Sequence, residues 1–138
     1  MLELVNETDF ELDTKNIEEI TKLKTNKDVE FVLTDNENIQ ALNLNFRQKD
    51  EPTDVLSFPY ESMPGAPLGT VIVSLDFATT KAQELGHSID HEITLLFTHG
   101  LLHILGYDHE TDNGEQRAEE ERILNLFNLP KSLIIRNG

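Results

Sequence analysis

Two periodicities of apolar residues along the chain predict its secondary structure. Short runs that alternate with polar residues, or that are continuously apolar and rich in β-branched residues, predict strands, and apolar residues three and four apart predict helices. The predicted strands cover residues 2–6, 29–34, 55–58 and 70–74. Four predicted helices cover residues 16–24, the segment from a cap at 35–36 to about 47, the segment from a cap at 76 to about 85, and residues 93–105. A fifth helix contains the apolar stripe Ile123, Leu124 and Phe127.

Short polar side chains and glycines mark where these helices begin and end. An N-cap side chain accepts a hydrogen bond from an unpaired N–H group of the first turn. The predicted N-caps are Asp35, Asp76, Asp90 and either Asp112 or Asn113. Gly86 and Gly106 stand where two helices end, because glycine is preferred in the left-handed turn just past a helix.

The order of these elements predicts the fold class. Helices and strands alternate, which favours one sheet packed against helices. Residues 60–69 contain two prolines and two glycines and are typical of a loop, and this segment before the fourth strand favours a mixed sheet over a doubly wound one. We predict an α+β fold in which residues 1–138 form a single domain, with a four-stranded mixed sheet, about five helices, and one helix buried at the centre.

Composition limits the classes of protein that the chain can belong to. It has 138 residues with 38% hydrophobic content and no cysteine, so neither a disulfide framework nor a thiolate metal site is expected. No apolar run reaches the ~18 residues of a membrane span, and the acidic start at 1–7 lacks the features of a signal peptide. We therefore expect a cytoplasmic protein without membrane contact. The net charge of −15 aids solubility and repels nucleic acid, so activity on nucleic acid would need a local basic patch, a metal ion or a partner.

Three histidines predict a metal site on the central helix and the turn after it. His99 and His103 are four residues apart, so they share one face of the helix. If the helix ends at Gly106, the chain can reverse and bring His109 back to the same ion. Three neutral imidazoles with an open position are typical of catalytic Zn²⁺, although Ni²⁺, Co²⁺ or Cu²⁺ would also suit them. The alternative is that these histidines are separate core and loop residues bonded to the backbone.

The spacing also permits a comparison with proteases. His99, His103, Gly106 and His109 match the metal ligands and the glycine of the metzincin pattern. The glutamate that acts as general base in that pattern is replaced by Gly100, which cannot accept a proton. The ligand spacing is thus that of a protease, but the proteolytic base is missing.

Other charged residues carry weaker signals. Arg47 and Lys49 follow the second helix, where they fit either phosphate binding or a favourable place near the helix C-terminus. His91 is expected to be an ordinary surface or core histidine. Asp108 can hold the second N–H of a ligand imidazole or make a local turn bond. Five glutamates are interpreted mainly as solvated helix charges: Glu92, Glu110, Glu119, Glu120 and Glu121.

The segment His99-Gly100-Leu101-Leu102-His103-Ile104-Leu105-Gly106-Tyr107-Asp108-His109 closely resembles the signature of the YbeY family of bacterial metal-dependent endoribonucleases. Asn45-Phe46-Arg47, the segment 53–59 and Gly69 resemble a second conserved region of that family. The resemblance covers roughly residues 30 to 122. There are two departures. Thr70 stands where the family usually has Asp, and the family's Met in the last helix is missing near Gln116 and Arg117.

This resemblance implies a function and a set of roles. It implies cleavage of single-stranded RNA, maturation of the small-subunit ribosomal RNA 3′ end and ribosome quality control, together with ribosomal proteins and an assembly GTPase. His99, His103 and His109 become the metal ligands, and Arg47 becomes the residue that engages the substrate phosphate. Two other hypotheses stay open. One is a non-catalytic ribosome-assembly factor with a structural metal, and the other is a metal-dependent peptidase or amidohydrolase.

Overall fold

The elements of the protein were located in a computed structural model, which describes residues 1–60, 65–108 and 110–129. The strands are β1 (Leu2–Asn6), β2 (Val29–Thr34), β3 (Val55–Pro59) and β4 (Gly69–Ser74). The helices are α1 (Lys15–Lys24), α2 (Asn36–Arg47), α3 (Leu75–Leu85), α4 (Ile89–Ile104) and α5 (Glu115–Leu126). Every predicted strand and helix is present, while residues 61–64 of the predicted loop lie outside the described residues.

The four strands form one mixed sheet in the order β1-β2-β4-β3. β1 pairs with β2, and β2 with β4, in parallel, whereas β3 and β4 are antiparallel. The antiparallel pair follows from chain length, because a parallel connection needs a crossover of a dozen or more residues and only 60–68 separate these two strands. The prediction of an α+β fold with a four-stranded mixed sheet and five helices is confirmed.

Both faces of the sheet are covered, and α4 forms the centre of the larger core. On one face Phe31 and Val71 are fully buried, and the Phe31 ring lies 4.9 Å from that of Phe97 in α4. On the other face Ile72 packs in a smaller cluster with Ile39 of α2. α4 carries apolar residues around most of its circumference and is accordingly buried on most sides. None of the helices in the described part of the chain is long and apolar enough to cross a membrane.

A very short approach between α4 and the sheet occurs at Gly100. A Cβ atom built there would lie 2.8 Å from Cγ1 of Val71 and 3.2 Å from Cγ2 of Val55. Only a residue without a side chain allows the helix backbone to come this close. Gly100 therefore sets the height of the C-terminal half of α4 above β3 and β4, and with it the position of the adjacent His99.

Two of the predicted N-caps are wrong by two residues. Ser74 caps α3 and Ser88 caps α4, and each hydroxyl accepts a hydrogen bond from a first-turn N–H. Asp76 and Asp90 lie inside the first turns, where their charge interacts favourably with the helix dipole. Each carboxylate also accepts an N–H from another segment, as Asp76 does from Asn36 at 2.8 Å. These aspartates therefore join segments rather than cap their own helices.

The other predicted helix ends agree more closely with the structure. The Asp35 side chain accepts the N–H of Asn38 at 2.8 Å and caps α2 as predicted. At α5 the N-cap residue is Gly114, which has no side chain to accept a hydrogen bond. Asp112, two residues earlier, accepts the N–H of Gln116 at 2.9 Å and so replaces the missing N-cap side chain. Asn113 has no such role.

Candidate active site

His99 and His103 lie on successive turns at the C-terminal end of α4. The His99 side chain is 14% exposed, while His103 is exposed. Because they are four residues apart in a regular helix, their side chains project from the same face. The structure thus confirms the helical spacing from which these two residues were predicted as neighbouring ligands.

The helix ends in the turn that the sequence predicts at Gly106. The backbone of Gly106 has φ 105°, and its N–H donates to the carbonyl of His103 at 3.0 Å. The N–H of Tyr107 reaches back to the carbonyl of Leu102 at 3.1 Å. These two bonds form a Schellman motif, which satisfies carbonyls that the helix end would otherwise leave unpaired. The chain therefore changes direction three residues after His103.

The predicted third ligand, His109, lies outside the described residues. Across residues 1–60, 65–108 and 110–129, no group of three or more histidine, aspartate or glutamate side chains is placed to hold a metal ion. The role of His109 as a metal ligand stays a prediction.

Glu120 of α5 contacts His99. Its Oε2 lies 3.0 Å from Nδ1 of the imidazole, and its side chain is fully buried. Next to it, the buried side chain of Gln116 points its Nε2 at the carbonyl of His99, 3.4 Å away. The interpretation of Glu120 as a solvated charge is therefore wrong. The sequence did carry a signal, since Glu120 precedes Ile123 and Leu124 by three and four residues and so shares the apolar face of α5.

Glu119 is also held in a network rather than solvated. It forms an ion pair with Lys24 of α1 at 3.0 Å, a hydrogen bond with Arg122, and a bond of 3.4 Å from the hydroxyl of Tyr107. Partial burial acts to raise the pKa of this carboxyl, but the hydrogen bonds and charges of Arg122 and Lys24 outweigh it and lower the pKa below its usual value. Since Lys24 also lies 5.7 Å from the Tyr107 ring centroid, this network joins α1, α5 and the turn after α4.

At the other end of α4, Glu92 is a third glutamate whose solvated interpretation is wrong. It is fully buried, and its Oε1 lies 2.7 Å from Nε2 of His87. His91 is half-buried in the first turn of the helix, two turns before His99. Glu110 is exposed, as predicted, but it lies in a turn between α4 and α5 rather than on a helix.

Asp108 makes a local turn bond. Its carboxylate accepts the N–H of Glu110 at 3.1 Å, which is one of the two roles that the sequence left open. A cavity of about 270 Å³ opens beside it, directly after α4. Its walls are formed by Leu105, Gly106, Tyr107, Asp108, Asp112 and Glu115. The concave surface at the end of the histidine helix thus carries three carboxylate side chains among apolar and neutral residues.

Arg47 is the last residue of α2, and its side chain is exposed. Within the described residues its guanidinium forms no hydrogen bond and no ion pair. The preceding Phe46 is 63% exposed, and its ring lies 5.2 Å from that of Phe58 in β3. α2 and α4 pack on opposite faces of the sheet. Arg47 therefore lies on a helix on one side of edge strand β3, and His99 and His103 lie on a helix on the other side.

Thr70, which departs from the family pattern, lies beside a carboxylate. It pairs with Glu30 across β2 and β4, and its hydroxyl donates to Oε2 of Glu30 at 3.0 Å. The Tyr60 hydroxyl contacts both groups. A carboxylate is therefore present at this place in the sheet, contributed by the neighbouring strand.

The donors at the end of α4 fit a transition metal. Two imidazoles share one face, and Nδ1 of one of them lies against a buried carboxylate, so a metal bound by that histidine would be held through Nε2. Imidazole is a ligand that Zn²⁺, Ni²⁺, Co²⁺ and Cu²⁺ accept, and a carboxylate on the second nitrogen is a common feature of metal-bound histidine. A third metal ligand would have to come from a residue other than His99 and His103.

Comparison with known proteins places the chain in a family. Residues 4–128 match the family model described as Endoribonuclease YbeY. The chain is 58% identical to the endoribonuclease YbeY of Nautilia profundicola over 137 residues, covering 99% of each, and 51% identical to that of Aliarcobacter butzleri over the whole of both chains. The solution structure of a Thermotoga maritima protein has the same fold, with a TM-score of 0.60, 25% identity, and coverage of 93% of this chain and 92% of that one. The chain therefore belongs to the endoribonuclease YbeY family.

Proposed function

We propose that this protein is a metal-dependent endoribonuclease that cleaves single-stranded RNA during maturation of the small-subunit ribosomal RNA 3′ end. Endoribonuclease activity follows from membership of the family. The observation that carries metal dependence is the pair His99 and His103 on one face of α4, with Glu120 against the first of them. The single-strand preference and the ribosomal substrate rest on the family resemblance alone.

The metal would be held by His99, His103 and His109, with Zn²⁺ as the first candidate. A divalent metal supplies Lewis acidity, which polarises a phosphoryl oxygen and lowers the pKa of water. The protein's contribution is to fix the ligands. Gly100 sets the height of α4, the Schellman motif at Gly106 turns the chain, and Glu120 engages the second nitrogen of His99.

Arg47 would bind the substrate phosphate. A guanidinium offers paired N–H donors that match phosphate oxygens, and it can offset charge that develops on the phosphate during cleavage. Its exposure, and the absence of an acidic partner among the described residues, leave it available for this contact. In a chain with a net charge of −15, Arg47 and the nearby Lys49 form a local basic site for an anionic polymer.

The acidic surface fits a partner that delivers the RNA. We propose that the protein works in the cytoplasm with ribosomal proteins and an assembly GTPase, since its own net charge repels RNA at long range. The packing of α4 excludes a proteolytic base at position 100, so the peptidase alternative would need a base outside this helix. Gly100, which replaces the proteolytic glutamate, faces Val55 and Val71 too closely for any side chain.

Cleavage assays on the purified protein test this function. Single-stranded RNA, duplex RNA and an unstructured peptide would be incubated with the Zn²⁺-loaded protein and with its His103→Ala and Arg47→Ala variants. We expect cleavage of single-stranded RNA only, loss of both metal and activity in His103→Ala, and retained metal with cleavage reduced about 100-fold or more in Arg47→Ala. Lys22→Ala, which removes an exposed cation from the last turn of α1, is the matched control. Normal cleavage by Arg47→Ala would refute its role, and cleavage of the peptide alone would refute the function.

A further inference from the structure

We propose that Glu120 is the positioning residue of the metal site, and that it selects which nitrogen of His99 faces the metal. This inference rests on the proposed metal-dependent function. Glu120 would accept the Nδ1–H of His99, so that the imidazole presents the lone pair of Nε2. α5 would thus act on the metal through the histidine without touching the metal itself.

The burial of Glu120 shows that its contact is not incidental. A carboxylate removed from water costs several kcal/mol unless it is paired or hydrogen-bonded. Glu120 is fully buried, and its Oε2 lies 3.0 Å from Nδ1 of His99. The contact with a predicted metal ligand therefore offsets part of the cost of burying this carboxylate.

A second side chain of α5 holds the same residue. Gln116 lies one turn before Glu120 and is also fully buried, and its Nε2 donates to the backbone carbonyl of His99 at 3.4 Å. One helix thereby fixes both the backbone and the ring of His99. The pair also explains why α5 carries two buried polar residues beside its apolar residues Ile123 and Leu124.

A carboxylate has a larger effect on the imidazole than a neutral acceptor would have. A neutral imidazole carries one N–H and one lone pair, and a bond to an acceptor at Nδ1 keeps the proton there. A carboxylate partner also makes the coordinating nitrogen more basic, and loss of such a partner typically weakens metal binding about 10- to 100-fold. Glutamine has nearly the same shape but no charge, so Glu120→Gln isolates the effect of the charge.

The experiment compares Glu120→Gln with Glu121→Gln in the full chain. Glu121→Gln makes the same chemical change one residue further along α5, at a half-buried position. Thermal melting establishes that both variants fold. Zn²⁺ affinity is measured by competition with a chromophoric chelator. Long-range ¹H–¹⁵N spectra of the metal-free proteins show which nitrogen of His99 carries the proton, a property that a merely structural role of Glu120 would not determine.

We expect the Nδ1–H form of His99 in the wild type and in Glu121→Gln. We expect Zn²⁺ affinity to fall about 10- to 100-fold in Glu120→Gln and to stay unchanged in Glu121→Gln. A folded Glu120→Gln variant that binds Zn²⁺ as tightly as the wild type would overturn the proposal. If the variant does not fold, the wild-type spectrum still decides, because an Nε2–H form of His99 contradicts the proposed role. A wild-type protein that binds none of Zn²⁺, Ni²⁺ or Co²⁺ would instead refute the metal site itself.

Discussion

The close contact between Gly100 and the sheet predicts that Gly100→Ala destabilises the protein, although alanine is the better helix former. The added Cβ would lie 2.8 Å from Cγ1 of Val71, which is fully buried on the central strand β4 and has little room to move. Overpacking of this kind typically costs about 1–3 kcal/mol. Replacement of glycine by alanine inside a helix returns about 1 kcal/mol. We therefore expect a net loss of up to about 2 kcal/mol in the free energy of unfolding, from the difference of these two effects.

Urea unfolding of the metal-free protein measures this loss. For a chain of 138 residues, a loss of 1 kcal/mol corresponds to a decrease of about 3 °C in melting temperature. Val71→Ala provides the matched background, because it removes the methyl group that the new Cβ would strike. In the Val71→Ala background, Gly100→Ala should be neutral or stabilising. The double variant should therefore lose less free energy of unfolding than the sum of the losses in the two single variants. A Gly100→Ala substitution that changes the free energy of unfolding equally in the wild-type and Val71→Ala backgrounds would refute the assigned packing.

Two further perturbations test the surroundings of the site. Gly106→Ala and Gly86→Ala both place a side chain at positive φ just past a helix, with no atom within 4 Å of the new Cβ, so each should cost about 1–2 kcal/mol in urea unfolding. Only Gly106→Ala should also weaken Zn²⁺ binding, and equal Zn²⁺ affinities in the two variants would argue against the role of this turn. The pKa of Glu119 is lowered in the folded state, so its stabilising contribution is present above pH 4.5 and is lost as the pH falls through the folded pKa. The stability difference between wild type and Glu119→Gln should therefore shrink on acidification, and a constant difference would contradict the network around it.

Features with a local cause were predictable from the sequence. The end of α4 is a clear case, because glycine favours the left-handed backbone and Gly106 is the first glycine after the histidine pair. The shared face of His99 and His103 follows from helical periodicity alone. Arg47 likewise lies at the end of α2, as the spacing of apolar residues before it predicted.

Features that depend on packing between distant segments were missed. Glu92, Glu119 and Glu120 were all predicted to be solvated, yet two are fully buried and the third is held by an ion pair with α1. Their burial depends on which helix covers them, and a composition rich in charge gives no information about that. The caps at Ser74 and Ser88 were missed for a different reason. A serine and an aspartate two residues apart both qualify as caps, and the end of the preceding segment decides between them.

The place of α5 in the chain has a consequence for biosynthesis. Glu120 and Gln116 are made after every strand of the sheet and after both histidines that they help to arrange. A nascent protein folds from its N-terminal part as translation proceeds, so its sheet and central helix can assemble before α5 emerges. His99 then acquires its carboxylate partner only after α5 has emerged and packed. In an endoribonuclease built in this order, the surroundings of His99 would thus stay incomplete until α5 has been synthesised and has packed.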